Sequence, residues 1–207
     1  MKVLIACEYS GAVRDAFIKN GHDAMSCDLL PTDSSGPHYQ GSVFDVINDG
    51  WDLMIAHPPC TYLAVSGNRW LYNKDGSKNE ERWSNREAGL DFVRALMDAS
   101  IERIAVENPV SVISSEIRKP DQIIQPWQFG DEAQKTTCLW LKNLPKLKPT
   151  KIVGKGEMVT YKSGNTMPKW YADAFKLPKA ERQKLRSKTF QGIADAMAEQ
   201  WGQEDEL

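Results

Sequence analysis

Cys60 is the side chain of this sequence best placed for covalent chemistry. The short apolar run at 53–56 predicts a buried strand of a parallel sheet. Pro58 and Pro59 end that strand, because proline has no N–H group for the ladder. Ligands of open α/β sheets bind at the carboxyl ends of the strands, so this turn would carry Cys60 to the mouth of a site. The alternative is an inert cysteine in the core, since free cysteines are usually small buried residues.

Glu107 follows a second predicted strand, at 101–106. Asn108 precedes Pro109 and is therefore restricted to an extended conformation, so the chain should leave the sheet abruptly here. Cys60 and Glu107 can both do chemistry, and both are predicted at strand ends on the same edge of the sheet. This arrangement favours a reactive site over the alternative of an inert cysteine. Chemistry at carbon 5 of a pyrimidine needs such a pair. A thiolate adds to carbon 6, and an acid holds a proton on ring nitrogen 3 to stabilise the charge that develops.

The first thirty residues predict a βαβ unit that binds a nucleoside. A strand at 2–6 is followed by a turn of small and polar residues ending at Gly11, a helix with an apolar face, and a strand at 24–27 that ends on Asp28. An acid in that position suits a pair of ribose hydroxyls. Gly11 is the only glycine of the usual dinucleotide pattern, so the unit favours a cofactor without phosphates, such as S-adenosylmethionine.

Further elements can be placed by pattern along the chain. Asp45 precedes the central strand and would either accept the exocyclic amine of an adenine or cap a short helical turn at 46–48. A polar loop is predicted at 31–41, a helix at 80–99, a strand at 134–141 and a helix at 190–201. The long segment 66–78 mixes cations with aromatic rings, among them Arg69 and Trp70, as proteins that bind single strands or flipped bases do.

Charge is distributed unevenly along the chain, although the net charge is only −2. Between Lys142 and Lys188 lie 13 of the 26 Lys and Arg residues but only 3 of the 28 acidic residues, which makes this segment about +10. Such a concentration indicates a surface that binds nucleic acid, with a solvated lysine-rich face as the alternative.

Composition also bears on the setting of the protein. The four cysteines show no CxxC spacing, and with three His residues the sequence predicts no metal site. Reduced thiols and the lack of a signal peptide or apolar span predict a cytoplasmic protein without a membrane partner.

With these motifs in this order, the chain resembles a DNA cytosine carbon-5 methyltransferase, in the small, phage-type form without a full target-recognition domain. The turn Ala6-Cys-Glu-Tyr-Ser-Gly11 is similar to the first cofactor motif of the family. His57-Pro-Pro-Cys60 is similar to its nucleophile motif, and Glu107-Asn-Pro109 to its ENV motif. Phe190-Gln-Gly-Ile-Ala resembles the closing motif, whose helix packs beside the first one.

The resemblance implies a Rossmann-like S-adenosylmethionine-dependent methyltransferase fold, an α/β fold with a mostly parallel sheet. It implies Cys60 as the nucleophile and Glu107 as the acid at ring nitrogen 3. The implied cofactor-binding residues are Ala6, Glu8, Ser10, Gly11, Asp28, Asp45 and Pro58. The implied substrate-binding residues are Pro59, Asn108, Pro109, Arg69, Gln134 and Lys135, the last two standing where the family holds the cytosine oxygen with arginines.

Three segments are predicted: a catalytic and cofactor-binding core at 1–141, a basic insertion at 142–188 that binds DNA, and a C-terminal helix at 189–207 that packs back on the core. The predicted activity is methylation of cytosine carbon 5 in DNA with S-adenosylmethionine. Two alternatives remain: the same chemistry on a free pyrimidine nucleotide, which would not need the basic segment, and an inactive DNA-binding protein with this fold.

Overall fold

The computed structural model describes residues 1–203, and its centre is a seven-stranded sheet. The strands are β1 (Lys2–Ala6), β2 (Asp23–Asp28), β3 (His38–Gln40), β4 (Leu53–Ala56), β5 (Arg103–Asn108), β6 (Gln122–Ile124) and β7 (Thr137–Lys142). Their order across the sheet is β3-β2-β1-β4-β5-β7-β6. The first five run parallel, whereas β7 is antiparallel to both β5 and β6. The predicted α/β, Rossmann-like fold with a mostly parallel sheet is therefore confirmed.

Helices cover both faces of this sheet. In chain order, the helices of the described residues are α1 (Ala12–Lys19), α2 (Glu80–Met97), α3 (Ile113–Glu116), α4 (Lys169–Ala174), α5 (Lys179–Ser187) and α6 (Gln191–Trp201). One apolar core joins alternate strand residues to Leu90 and Val93 of α2, and the other joins the remaining strand residues to Phe17 of α1 and Met197 of α6. Because both faces are covered, the central strands are continuously apolar.

Several predicted boundaries are wrong. Strand β5 begins two residues later than predicted and runs through Asn108, because Ile101 is buried in the core without pairing in the ladder. Strand β7 begins at Thr137 rather than at residue 134. Strand β3 lies inside the predicted loop 31–41, and β6 has no counterpart in the prediction. Both are three-residue edge strands, too short to show a period of two.

The basic segment 142–188 is divided between two places on the molecule. Its first residues lie at the amino-terminal edge of the parallel strands, where Lys142 bonds to the carbonyls that precede β5. Its later residues cross the opposite edge as a small hairpin, β8 (Met158–Thr160) and β9 (Thr166–Pro168), followed by α4 and α5. Helix α6 then packs against α1. Of the predicted segment 189–207, residues 204–207 lie outside the described residues.

Among residues 1–203, the helices are too short or too polar to span a bilayer.

Candidate active site

The candidate site lies where the strand order reverses, between β1 and β4. Such a reversal opens a crevice outside the carboxyl ends of the strands, and ligands of open α/β sheets bind there. The turn after β1 supplies residues 7–11, the turn after β4 supplies His57 to Cys60, and β5 ends with Glu107 and Asn108. The topology therefore brings the predicted catalytic and cofactor residues to one rim.

Glu8 holds the turn after β1 in place. Its buried carboxylate accepts hydrogen bonds from the backbone N–H groups of Val13 and Arg14, at 2.9 and 3.3 Å, and from the hydroxyl of Ser10 at 3.0 Å. Gly11 adopts φ 75°, and a Cβ there would collide with the side chains of Ser34 and Arg14. These contacts fix the start of α1 and direct the carboxylate of Glu8 toward the protein. Ala6, the last residue of β1, is fully buried.

Arg14 forms a buried brace beneath the loop that follows β2. Its guanidinium bonds to the hydroxyls of Ser26 and Ser34, at 2.9 and 2.6 Å, and to the carbonyl of Ser35 at 3.0 Å. An arginine that is completely buried must have its donors satisfied, so this network is structural. The sequence does not predict it, because Arg14 lies on what appears as an ordinary amphipathic helix.

Asp28 lies at the rim at the end of β2. One carboxylate oxygen accepts from the N–H of Leu30 at 2.8 Å, and the other has no hydrogen-bond donor among the described residues. Burial, with the charge of Asp28 as a second cause, raises the pKa of Cys7 to about 12 and that of Cys27 to about 11. The position of Asp28 and its free oxygen fit a pair of ribose hydroxyls, although the cofactor role stays a prediction.

Asp45 makes a local cap. Its carboxylate accepts from the N–H of Ser42 at 3.2 Å and from the hydroxyl of Tyr39 at 3.1 Å. The predicted turn at 46–48 is present and is closed by the N–H of Asp49 on the carbonyl of Val46, but a 3₁₀ turn at Val43–Asp45, which contains Asp45, precedes it. A capping box between Ser42 and Asp45 makes Ser42, rather than Asp45, the residue that starts this helical stretch. These contacts favour the capping interpretation over the adenine interpretation.

Cys60 is exposed, and its turn is tightly held. The amide of Asn108 donates to the carbonyl of Pro58 at 2.9 Å, and the carbonyl of Cys60 accepts from the N–H groups of Leu63 and Ala64. The surrounding protein raises the pKa of the Cys60 thiol, and the carboxylate of Glu107 raises it further. Asn108 thus ties the end of β5 to the loop that carries the thiol.

Backbone bonds join the two loops that follow Cys60 and Pro109. The N–H of Val65 donates to the carbonyl of Val110 at 3.1 Å, and the N–H of Val112 donates to the carbonyl of Leu63 at 2.9 Å. Pro59 is exposed and Pro109 is half-buried at the mouth of the crevice. The two loops therefore form one braced unit rather than two independent turns.

His57 is a site residue that the sequence analysis missed. Its Nδ1 lies 3.1 Å from Oε2 of Glu107, and the two side chains are only 10% and 12% exposed. Burial tends to raise the pKa of Glu107, but the hydrogen bond from His57 and the charge of Lys135 lower it more. Glu107 is therefore ionised at neutral pH in the free protein. Nε2 of His57 is buried without a hydrogen-bond partner among the described residues.

Two cations lower the pKa of the Cys60 thiol and so oppose the effects of burial and Glu107: Lys135 and Arg186. Lys135 is held by the bond from its ammonium to the carbonyl of Lys188 at 3.2 Å. Gln134 lies next to it, but its amide and carbonyl bond to Met158 and Trp170. Lys135 is thus at the predicted site, whereas Gln134 faces the hairpin and α4. Arg186 on α5 was not predicted.

Arg69 lies apart from the crevice, in a groove that begins at Thr61. Its guanidinium covers the ring of Trp70 at 4.6 Å from the ring centre. Among the predicted substrate-binding residues, Arg69 is the one that lines this groove.

The class defined by this geometry is a Rossmann-like α/β protein with a cysteine and a carboxylate at the rim of its central crevice. No family model matches the chain, and no curated protein is similar to it. Among solved structures, the chain is similar to a proposed DNA modification methyltransferase encoded within an E. coli prophage, with 16% identity and a TM-score of 0.49. The match covers 74% of this chain and 52% of that one, so the chain spans about half the length of that structure.

Proposed function

We propose that this chain is an S-adenosylmethionine-dependent DNA methyltransferase that acts on carbon 5 of cytosine through a covalent adduct with Cys60. The observation that carries the proposal is the thiol of the exposed residue Cys60 near the buried carboxylate of Glu107 on one braced rim. The resemblance of the His57–Cys60 and Glu107–Pro109 motifs to those of the family supports the same chemistry.

Cys60 would add to ring carbon 6 as the thiolate. In the free protein its raised pKa keeps it protonated at neutral pH, so the proton must leave as the base binds. Lys135 and Arg186 stabilise the thiolate, and a cytosine whose oxygen and amine are bound excludes water from it. Once the thiol is deprotonated, carbon 5 becomes nucleophilic by addition at carbon 6.

Glu107 would hold the proton at ring nitrogen 3. Because its carboxylate is ionised in the free protein, it must first take up a proton, and the thiol of Cys60 is a donor on the same rim. A proton that moves from Cys60 to Glu107 leaves a thiolate and a neutral acid, and these are the two forms that the addition requires. His57 would orient the carboxylate throughout.

The cofactor would lie over the turn after β1. The left-handed turn at Gly11, beside the strand-order reversal, and the free oxygen of Asp28 at the end of β2 fit the nucleoside part of S-adenosylmethionine. When bound there, the cofactor supplies an electrophilic methyl group. The braced turn at Pro58 would form the wall between this site and Cys60.

The product tests the proposal directly. Nucleosides from the DNA of cells that express the wild-type chain should contain 5-methylcytosine by mass spectrometry, above the level in cells that express Cys60→Ser. Equal levels in the two cultures would exclude this function. A modified nucleoside other than 5-methylcytosine would keep a DNA-modifying enzyme but remove carbon 5 as its target.

Asp28→Ala should weaken cofactor binding without changing DNA binding. Charge-assisted hydrogen bonds to the ribose contribute about 1.5–3 kcal/mol, which corresponds to about a 10- to 150-fold loss of affinity. Calorimetry with S-adenosylmethionine measures this loss, and Asp45→Ala serves as a matched control at a capping carboxylate. Unchanged affinity in Asp28→Ala would show that Asp28 is a turn residue.

A further inference from the structure

A basic groove of about 1050 Å³ opens beside Thr61, the residue that follows Cys60. One wall is the segment from Arg69 to Arg82, which includes the start of α2, and the other wall is α5. Its lining contains no acidic residue. The cations that line it are Arg69, Lys74, Arg82, Lys179, Arg182 and Arg186.

The cations of this basic groove have no acidic partner among the described residues, although the guanidinium groups of four arginines lie over aromatic rings. None of the six belongs to the ion pairs found within residues 1–203, although other surface cations of the chain, such as Lys169 and Lys184, are paired with aspartates. Lys179, Arg182 and Arg186 are spaced three and four residues apart, so one face of α5 carries all three. An extended polyanion is the ligand that fits a row of unpaired cations.

Two aromatic rings line the same groove. Trp70 and Tyr72 are 54% and 50% exposed, and Leu71 between them is buried. Tyr72 packs edge-on against Trp83 with ring centres 6.3 Å apart, and the N–H of Asn79 donates to the carbonyl of Leu71. The loop that carries the two rings is therefore anchored. It leaves the apolar area of the rings exposed to solvent, and a ligand that stacks on them would cover this area.

Exposed rings beside unpaired cations distinguish between single and double strands. In a duplex the faces of the bases are stacked on one another, so rings along the groove would find only sugar and phosphate. An unpaired strand offers its base faces for stacking, while its phosphates lie against the arginines. The volume of the groove also lies just above the range for small-molecule pockets, about 300–1,000 Å³, as expected for more than one nucleotide.

We propose that the basic groove binds a single-stranded segment of DNA and leads an unpaired cytosine to Cys60. Arg186 links the basic groove to Cys60, because it lines the groove and its charge lowers the pKa of the Cys60 thiol. The destination of the base rests on the proposed function, but the binding of the strand does not.

Fluorescence anisotropy without cofactor tests the binding. A labelled single-stranded 12-mer should bind the wild-type chain at least tenfold more tightly than a blunt duplex of the same sequence. Because stacking contributes about 1–3 kcal/mol per base, Trp70→Ala and Tyr72→Ala should each weaken single-strand binding by roughly 5- to 150-fold. Trp70→Phe should recover most of the loss.

Charge variants provide a second measurement with a matched control. Replacing Arg69, Arg82 and Arg182 by Ala should reduce the salt dependence of single-strand binding by about 2 in log–log slope, since about 0.7 counterion is released per phosphate. The control replaces Lys146 and Lys148 by Ala, and it should leave the affinity for the single strand and the salt slope unchanged. These two lysines flank the buried Leu147 at the far edge of the sheet and do not line the groove.

Equal or tighter binding of the duplex would overturn the proposal, as would ring variants that bind like the wild-type chain. Circular dichroism shows whether each variant is folded, and the exposed positions of both rings make them tolerant of substitution. Tight single-strand binding by a chain that makes no 5-methylcytosine would refute the proposed function and keep this inference. Methylation by a chain that prefers the duplex would support the proposed function and refute this inference.

Discussion

Incubation of the wild-type chain with S-adenosylmethionine and DNA containing 5-fluorocytosine should give a covalent protein–DNA complex that survives denaturation, attached at Cys60. After the thiol adds to carbon 6 and carbon 5 is methylated, release requires loss of the proton on carbon 5. Fluorine at that position cannot leave as a cation, so the adduct should accumulate. Gel electrophoresis detects the complex, and peptide mapping locates the cysteine.

Cys60→Ser should form no adduct, because a hydroxyl at neutral pH lacks the nucleophilicity of a thiolate. Glu107→Gln should slow adduct formation by about 100-fold or more, the scale of a lost general acid. Cys138→Ala is the matched control: its thiol is buried on β7 opposite Asn108 and should not be needed. An adduct on Cys7, Cys27 or Cys138 would contradict the site assignment.

The rim could be predicted because it depends on local rules. Apolar runs followed by prolines or by an Asn–Pro step indicate where strands end, and parallel strands place those ends on one edge. Cys60 and Glu107 therefore come together in the structure at the positions that their motifs predict. Even the error in the bounds of β5 leaves Glu107 at the carboxyl end of its strand.

The pairing of His57 with Glu107 could not be predicted in the same way. The two residues are 50 positions apart, and the pattern does not show which side of the strand end each ring or carboxylate faces. His57 belongs to the nucleophile motif, but the functional interpretation of that motif rests on its prolines and its cysteine, so the motif gave His57 no role. Its proximity to Glu107 follows from the parallel register of β4 and β5, which pairs Ala56 with Val106.

The wall formed by α5 escaped prediction for a different reason. None of its side chains is buried, so it has no apolar stripe at helical spacing. A usable signal was the spacing of its cations, since Lys179, Arg182 and Arg186 fall on one helical face. Composition alone indicated a basic segment, but it could not separate these residues from Lys146 and Lys148 at the far edge of the sheet.

Helix α5 also connects the groove to the crevice at the strand-order reversal. The hydroxyl of Tyr9 lies 2.9 Å from that of Ser187, and the ammonium of Lys184 lies 2.6 Å from the carboxylate of Asp33. The charge of Arg186, on the same helix, lowers the pKa of the Cys60 thiol. One exposed helix thus contacts the turn after β1, the loop after β2 and the region of the thiol, so a strand bound in the groove would lie against an element shared by both halves of the site.

His57→Phe should destabilise the fold at neutral pH and shift the pH dependence of Glu107. The substitution keeps a ring but removes the hydrogen bond to the carboxylate, and a hydrogen bond to a charged group contributes about 1.5–3 kcal/mol. In the wild-type chain the pKa of Glu107 lies below its ordinary value of 4.5, so its stabilising contribution is fully present above about pH 4.5 and is lost as the pH falls through the folded value.

Without His57, burial of Glu107 is opposed mainly by Lys135, and the pKa of Glu107 should rise. The stability difference between His57→Phe and the wild-type chain should therefore be largest near neutral pH and should shrink as the pH falls, because Glu107 takes up its proton at a higher pH in the variant. Urea unfolding from pH 4 to pH 8 measures this difference.

A double-mutant cycle separates this effect from a loss of packing. In a Glu107→Gln background there is no carboxylate to titrate, so His57→Phe should cost less and its cost should not depend on pH. The same cost in both backgrounds, constant from pH 4 to pH 8, would show that His57 only fills space. In that case the ionisation of Glu107 would be controlled by Lys135 alone, and the unpartnered Nε2 of His57 would have no part in positioning the acid.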